Sequence, residues 1–229
     1  MAASTLLLGI DTCGPTGSVA LGRWSGQAIE VLGQIELEGR NYSSTLVAAV
    51  SELLAGAGMQ LGQLSAIVAV NGPGSFTGVR VGLAAVKGLA ESARIPVVAV
   101  SRLEVLAAKA GVASAALDAH RHEVFLRLEV AGEQARELLA GAHELAAVDS
   151  PQQRIALCDE AAGLLIGEAW PSAELVSTAA PTAGDALRLC APRVAAGEST
   201  DLALLDGHYL RRSDAEIFGE PAAQGPQRL

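Results

Sequence analysis

The stretch from residue 65 to residue 90, SAIVAVNGPGSFTGVRVGLAAVKGLA, decides the prediction of the fold. Its apolar run Ala66–Val70 predicts a short buried strand. A turn rich in Gly and Pro follows the run, and Ser75 is a typical N-cap for the helix that comes next. Apolar residues recur along that helix at near-helical spacing, so one of its faces is apolar. Strand, turn and helix in this order are typical of an α/β protein.

Three glycines interrupt the predicted helix: Gly78, Gly82 and Gly88. Each costs about 1 kcal/mol relative to alanine, so a compensating role is expected. In one interpretation, these small residues let a second helix approach closely. In the other, the Gly-rich turn frees backbone N–H groups at the helix N-terminus for an anion such as phosphate. The turn has no Walker lysine, since nothing in the chain fits GxxxxGK[ST].

The composition indicates an acidic protein with a core of small aliphatic residues. The 229 residues are 50% hydrophobic but only 3% aromatic, and 16 basic against 25 acidic residues give a net charge of −9. Because phosphate neutralisation supplies most affinity for nucleic acids, we expect no strong binding of RNA by the chain alone. No leader-like segment or run of about 20 apolar residues is found, so a cytoplasmic protein outside the membrane is expected. The three cysteines are widely spaced and are expected to be reduced core residues.

The order of predicted elements indicates two related α/β lobes. The first cycle has three strands, an amphipathic helix over residues 41–58, the strand and helix of residues 65–90, and a further strand and short helix. A second, weaker cycle follows. With a boundary near Gly111, we predict an N-terminal lobe of residues 1–111 and a C-terminal lobe of residues 112–229, whose last segment could pack back on the first lobe.

Two acidic residues at predicted strand ends are candidate ligand contacts, because strand ends commonly carry ligands in α/β sheets. Asp11, together with Thr12, could hold a metal–nucleotide complex, and Asp118 could supply a second carboxylate. The competing interpretation is that Asp11 only caps its own turn. His120 and His122 are a close pair in a predicted turn and are expected to be solvated, so no metal site is predicted. No HExxH helix or GxSxG elbow is present, and we predict no catalytic residues.

Five segments carry distinctive motifs: LLLGIDTCGPTGSVAL (6–21), NGPGSFTGVRVGLAAVKGLA (71–90), IPVVAVSRLEVLA (95–107), LDAHRHEVF (117–125) and YLRRSDAE (209–216). Taken together, these segments resemble the TsaB family, also called YeaZ. The resemblance is strongest over residues 6–110 and sparse between residues 130 and 200.

The resemblance implies the two-lobed ASKHA fold of actin, hexokinase and Hsp70, an α/β fold with mixed sheets related to ribonuclease H. It also implies a function in bacterial synthesis of threonylcarbamoyladenosine at position 37 of tRNAs that read ANN codons. In that pathway the transfer is carried out by TsaD, which has a metal-binding HxxxH motif that this chain lacks. The chain is then expected to be a non-catalytic organising subunit that binds TsaD, with TsaE joining the complex.

The resemblance further implies that the chain has no cofactor of its own, that ATP or ADP could bind in the complex, and that tRNA is contacted only indirectly. The alternative is a stand-alone ASKHA-type ATPase or sugar kinase. It would use Asp11 and Asp118 as the ligand of Mg-ATP and as the general base.

The partner surface that the resemblance implies lies on the two helices of the first lobe, residues 41–58 and 75–93. The same helices could pair two copies of this chain. Many relatives begin the first helix with a sequence like RHSE, whereas residues 40–43 of this chain read RNYS and lack the His/Glu pair. The predicted interface residues are Tyr42, Leu46, Val50, Phe76, Gly78, Val79, Gly82, Leu83 and Val86.

Overall fold

Two five-stranded sheets organise the computed structural model, which describes residues 5–38, 41–129, 135–148 and 154–211. The strands of the first sheet are β1 (Thr5–Asp11), β2 (Thr16–Trp24), β3 (Ile29–Glu38), β4 (Ala66–Val70) and β5 (Val97–Val100). Their order is β3-β2-β1-β4-β5, with β1, β4 and β5 parallel and the β1–β2 and β2–β3 pairs antiparallel. The parallel strands end at one edge of the sheet, so the loops after β1, β4 and β5 meet there.

Helices cover both faces of the first sheet. Helices α1 (Tyr42–Gly56) and α2 (Phe76–Ala93) lie side by side on one face. Ser75 begins α2 as predicted, because its Oγ accepts a hydrogen bond from the Gly78 N–H at 3.2 Å. The left-handed residue Arg94 ends the helix.

The second sheet has the order β10-β9-β6-β7-β8. Its core includes Trp170, which is 2% exposed and donates its indole N–H to the Leu145 carbonyl at 3.1 Å. Helices α4 (Ala142–Ala147) and α5 (Glu160–Ala169) pack on one face of this sheet, and α3 (Arg102–Ala110) packs on the other. The strands are β6 (Ser114–Asp118), β7 (Val124–Leu128), β8 (Arg136–Ala140), β9 (Arg154–Leu157) and β10 (Glu174–Ser177).

Helix α6 (Ala183–Ala195) follows the second lobe in sequence but packs on the free face of the first sheet. Its buried residues Leu187 and Cys190 belong to the core of the first lobe, and the helix also contacts α3. The first lobe is therefore built from chain on both sides of the second lobe. Over the part of the chain that the structure describes, every helix is too short or too polar to cross a membrane.

Candidate functional site

Asp11, the first candidate ligand contact, is the last residue of β1 and directly precedes the loop that leads to β2. Asp11 is only 1% exposed, and its Oδ1 accepts a hydrogen bond from the Cys13 N–H at 2.8 Å. Its Oδ2 lies 3.5 Å from Nε of Arg102, a buried residue at the start of α3. The carboxylate therefore caps its own turn and also neutralises a buried guanidinium.

This buried ion pair affects the ionisation of its neighbours. Burial and the negative charge of Asp11 raise the pKa of the Cys13 thiol well above its ordinary range and raise the pKa of Tyr42 to about 12. Burial lowers the pKa of Arg102, but the charge and hydrogen bond of the facing Asp11 carboxylate, together with smaller contributions from Cys13 and Cys158, outweigh burial, so the net pKa is raised. At neutral pH the thiol and the phenol are thus uncharged, and the Tyr42 hydroxyl donates a hydrogen bond to the Gly14 carbonyl at 2.7 Å. These groups hold the loop in place and do not form an activated nucleophile.

Helix α2 closely approaches the same loop, and two of its glycines make this approach possible. The Thr12 hydroxyl donates a hydrogen bond to the Gly78 carbonyl at 2.7 Å. A Cβ on Gly78 would lie 2.1 Å from the Thr12 carbonyl oxygen, and a Cβ on Gly82 would lie 2.1 Å from Thr12 Oγ1. A side chain at position 78 would therefore displace the loop backbone, and one at position 82 would displace the Thr12 side chain. Gly78 and Gly82 thus make room for Thr12 of their own chain.

Most residues predicted to contact a partner belong instead to the core of this chain. They pack towards the first sheet. The apolar stripe at helical spacing, from which the partner contact was predicted, is thus the stripe that the chain's own sheet covers. Of the nine predicted residues, Phe76 alone is partly exposed. The eight buried residues are Tyr42, Leu46, Val50, Gly78, Val79, Gly82, Leu83 and Val86.

The opposite sides of α1 and α2 form a surface of small, uncharged residues, which we call the outer helix face. Its largest exposed side chain is Val47, which is 53% exposed. A Cβ on Gly88 would meet nothing within 4 Å. The exposed or half-exposed members of this face are Ser44, Val47, Ala48, Ser51 and Ala55 on α1, and Thr77, Val81, Ala84, Ala85 and Gly88 on α2.

Asp118, the second candidate carboxylate, is engaged within the hairpin between β6 and β7. Its Oδ1 accepts a hydrogen bond from the His120 N–H at 2.8 Å, and its Oδ2 lies 2.8 Å from Nδ1 of the same histidine. Among the described residues, no three His, Cys, Asp or Glu side chains are close enough together to hold a metal ion. Each of the two candidate carboxylates thus has its own partner, Arg102 for Asp11 and His120 for Asp118. No feature of this arrangement favours the stand-alone ATPase or kinase.

Sequence reasoning missed a polar cluster centred on Glu137 of β8. Its carboxylate accepts hydrogen bonds from the Ser101 hydroxyl at 2.6 Å and from Arg127 Nη1 at 2.7 Å, and lies 2.8 Å from His208 Nε2. Burial raises the pKa of Glu137, but the hydrogen bonds from His208, Ser101 and Arg127 outweigh burial, so the net pKa is lowered. The glutamate, not the histidine, contacts the serine hydroxyl, so the cluster is not a nucleophile–base pair. It borders an open groove of about 340 Å³ between the lobes.

The two mixed sheets with their helices define the class of the protein, a two-lobed α/β fold of the ASKHA, ribonuclease H-like type. Residues 31–158 match the family model described as "TsaD: tRNA N6-adenosine threonylcarbamoyltransferase". A crystal structure of a protein from Pseudomonas aeruginosa, described as similar to peptidase YeaZ, is 30% identical with a TM-score of 0.72, covering 90% of this chain and 100% of that chain.

Two curated relatives bear the same family name. The TsaB protein of Bacillus subtilis is 40% identical over 126 residues, which cover 53% of this chain and 54% of that protein. The TsaB protein of Haemophilus influenzae is 37% identical over 125 residues, which cover 52% of this chain and 51% of that protein. The chain belongs to the TsaB (YeaZ) family, as its sequence motifs predicted. The match spans about half the length of these curated relatives.

Proposed function

We propose that this protein is a non-catalytic organising subunit in the synthesis of threonylcarbamoyladenosine on tRNA. It binds a TsaD-type protein through the outer helix face, and TsaE joins the complex in the cytoplasm. The proposal is supported by family membership and, above all, by one observation: two adjacent helices present a group of small, uncharged residues to solvent. In the absence of TsaD, the same face would pair two copies of the chain.

The chemistry of the outer helix face suits a protein partner. The cores of protein–protein interfaces are depleted in charged residues, because desolvating a charge is unfavourable. All ten members of this face are uncharged, and the charged residues of the two helices, Glu52 on α1 and Arg80, Lys87 and Glu91 on α2, are not among them. The small side chains let a partner helix pack close to the backbones of α1 and α2. Any ATP or ADP would bind in the complex, and tRNA would be held chiefly by the partner, since this chain carries a net charge of −9.

The binding test places a long charged side chain on the outer helix face. Val47→Arg and Ala84→Arg should each weaken binding of purified TsaD about 100-fold or more, because a guanidinium would be buried without a partner. Leu164→Arg is the matched control, since Leu164 is a 67% exposed apolar residue on α5 of the second lobe. Affinities would be measured by biolayer interferometry, and thermal unfolding would establish that all three variants are folded. Unchanged affinity of both outer-face variants would contradict the proposed surface.

The functional test asks whether the chain acts through its partner. Threonylcarbamoyl transfer to tRNA should require TsaD and should rise when this chain and TsaE are added. The Val47→Arg variant should lose this stimulation, and Leu164→Arg should retain it. Transfer, or ATP turnover, by the purified chain alone would contradict a non-catalytic role.

A further inference from the structure

The chain after α6 runs back across both lobes, and we call residues 200–211 the strap. Its first part extends the edge of the first sheet beside β5. The Thr200 N–H donates a hydrogen bond to the Val97 carbonyl at 2.7 Å, and the Thr200 hydroxyl oxygen accepts one from the Ala99 N–H at 3.0 Å. Leu205 is 2% exposed and belongs to the core of the first lobe. The strap therefore begins as a part of the first lobe.

The middle of the strap is attached to the loop before α2 and to the second lobe. The His208 N–H donates to the Asn71 carbonyl at 2.7 Å, and the Asn71 side-chain amide donates to the Asp206 carbonyl at 3.3 Å. The His208 ring lies 2.8 Å from the Glu137 carboxylate of β8. One residue thus contacts both lobes.

Tyr209 covers the first turns of α2. Its ring centroid lies 4.9 Å from that of Phe76, in a tilted arrangement that aromatic pairs favour. Arg80 lies over the Phe76 ring at 3.7 Å, and its Nε donates to the Tyr209 hydroxyl at 3.4 Å. Phe76 and Arg80 are therefore fixed from outside α2 by a residue of the strap.

Arg211 attaches the strap to the tip of the β6–β7 hairpin. It donates hydrogen bonds to the Ala119 carbonyl at 2.7 Å and to the His120 carbonyl at 3.4 Å, and it pairs with the Glu123 carboxylate. The tip is strained, because residues 120–122 have φ angles of 59°, 57° and 59°, a left-handed conformation that residues other than glycine rarely adopt. Such a conformation persists only where its surroundings hold it. Arg211 supplies part of that support.

We infer that the strap couples the first turns of α2 to the β6–β7 hairpin, so that the two are held or released together. The two anchors, Tyr209 and Arg211, are separated by a single residue, Leu210. Loss of one frees the connecting chain and lowers the effective concentration of the other at its own site. Because α2 carries part of the outer helix face, the strap makes the TsaD-binding surface dependent on the second lobe. This last step rests on the proposed function.

Hydrogen–deuterium exchange of the whole chain tests the coupling through effects at the far anchor. Tyr209→Ala should speed amide exchange about tenfold in the hairpin at residues 119–123, which Tyr209 does not anchor directly. Arg211→Gln should do the same at residues 76–80 of α2. Leu204→Ala is the control within the strap, since Leu204 is 78% exposed, and it should change neither region. If each variant speeds exchange only beside its own anchor, the strap does not couple the lobes.

The binding measurement separates this inference from the proposed function. If wild-type chain binds TsaD, Arg211→Gln should weaken binding about fivefold or more although its site lies on the second lobe, and Leu204→Ala should bind normally. Unchanged affinity of Arg211→Gln would overturn the dependence of the surface on the strap. If wild-type chain does not bind TsaD, the proposed function fails, and the exchange experiment alone decides whether the strap couples α2 to the hairpin.

Discussion

Gly82 and Gly88 lie in the same helix but face opposite environments. A Cβ on Gly82 would collide with Thr12 of the β1–β2 loop, whereas a Cβ on Gly88 would meet nothing within 4 Å. The inner side of α2 thus packs against a loop beside a buried ion pair, and its outer side is exposed to solvent at Gly88. The comparison teaches that glycines of one helix can lie in two different environments, one closed by a contact within the chain and the other open to solvent.

The largest effect is expected from breaking the ion pair beneath the inner side. Arg102→Met should lower the free energy of unfolding by about 3–5 kcal/mol, because it leaves the Asp11 carboxylate buried without its guanidinium partner. Both residues are almost fully buried, at 6% and 1% exposure, so solvent cannot replace the lost charge. Urea unfolding followed by circular dichroism would measure the change.

The double variant Asp11→Asn/Arg102→Met is the control for this prediction. Removing both charges should restore much of the free energy of unfolding that Arg102→Met loses, because no buried charge is then left without a partner. Two results would contradict a role of the ion pair in holding the loop. One is that Arg102→Met lowers the free energy of unfolding by less than about 1 kcal/mol. The other is that the double variant is no more stable than the single variant.

The next largest effect is expected at the contact between α2 and the loop. Gly78→Ala should lower the free energy of unfolding by about 2–3 kcal/mol, because the added Cβ would lie 2.1 Å from the Thr12 carbonyl oxygen. Backbone must then move, and the hydrogen bond from the Thr12 hydroxyl to Gly78 must lengthen. The same measurement by urea unfolding applies, and a stability equal to wild type would show that the inner side is not closely packed.

Local patterns in the sequence were sufficient for the elements around residues 65–90. The apolar run became β4, Ser75 became the N-cap, and the motifs identified the family and its two-lobed fold. These features depend on neighbours in sequence, where strand runs and caps have definite signatures.

The orientation of α2 could not be predicted in the same way. An apolar stripe at helical spacing fits the protein's own sheet and a partner equally well, and the Thr12 that explains Gly78 lies 66 positions away. The Glu137 cluster was also out of reach, since its partners Ser101 and His208 are 36 and 71 positions distant. No periodicity reports contacts of that kind, because they depend on how the two lobes and the strap meet.

The smallest effect, and the sharpest test of the comparison, is expected at Gly88. Gly88→Ala should raise the free energy of unfolding by about 1 kcal/mol, because the position is exposed within a helix and alanine has the higher helix propensity. The same methyl group should weaken TsaD binding, since it would stand where a partner helix approaches the backbone. Gly167→Ala on α5 is the matched control: its Cβ would make an ordinary contact 3.7 Å from Leu175, and it should gain stability without loss of affinity. If Gly88→Ala gains stability and binds TsaD with the affinity of the wild type, the partner does not approach the α2 backbone at this position.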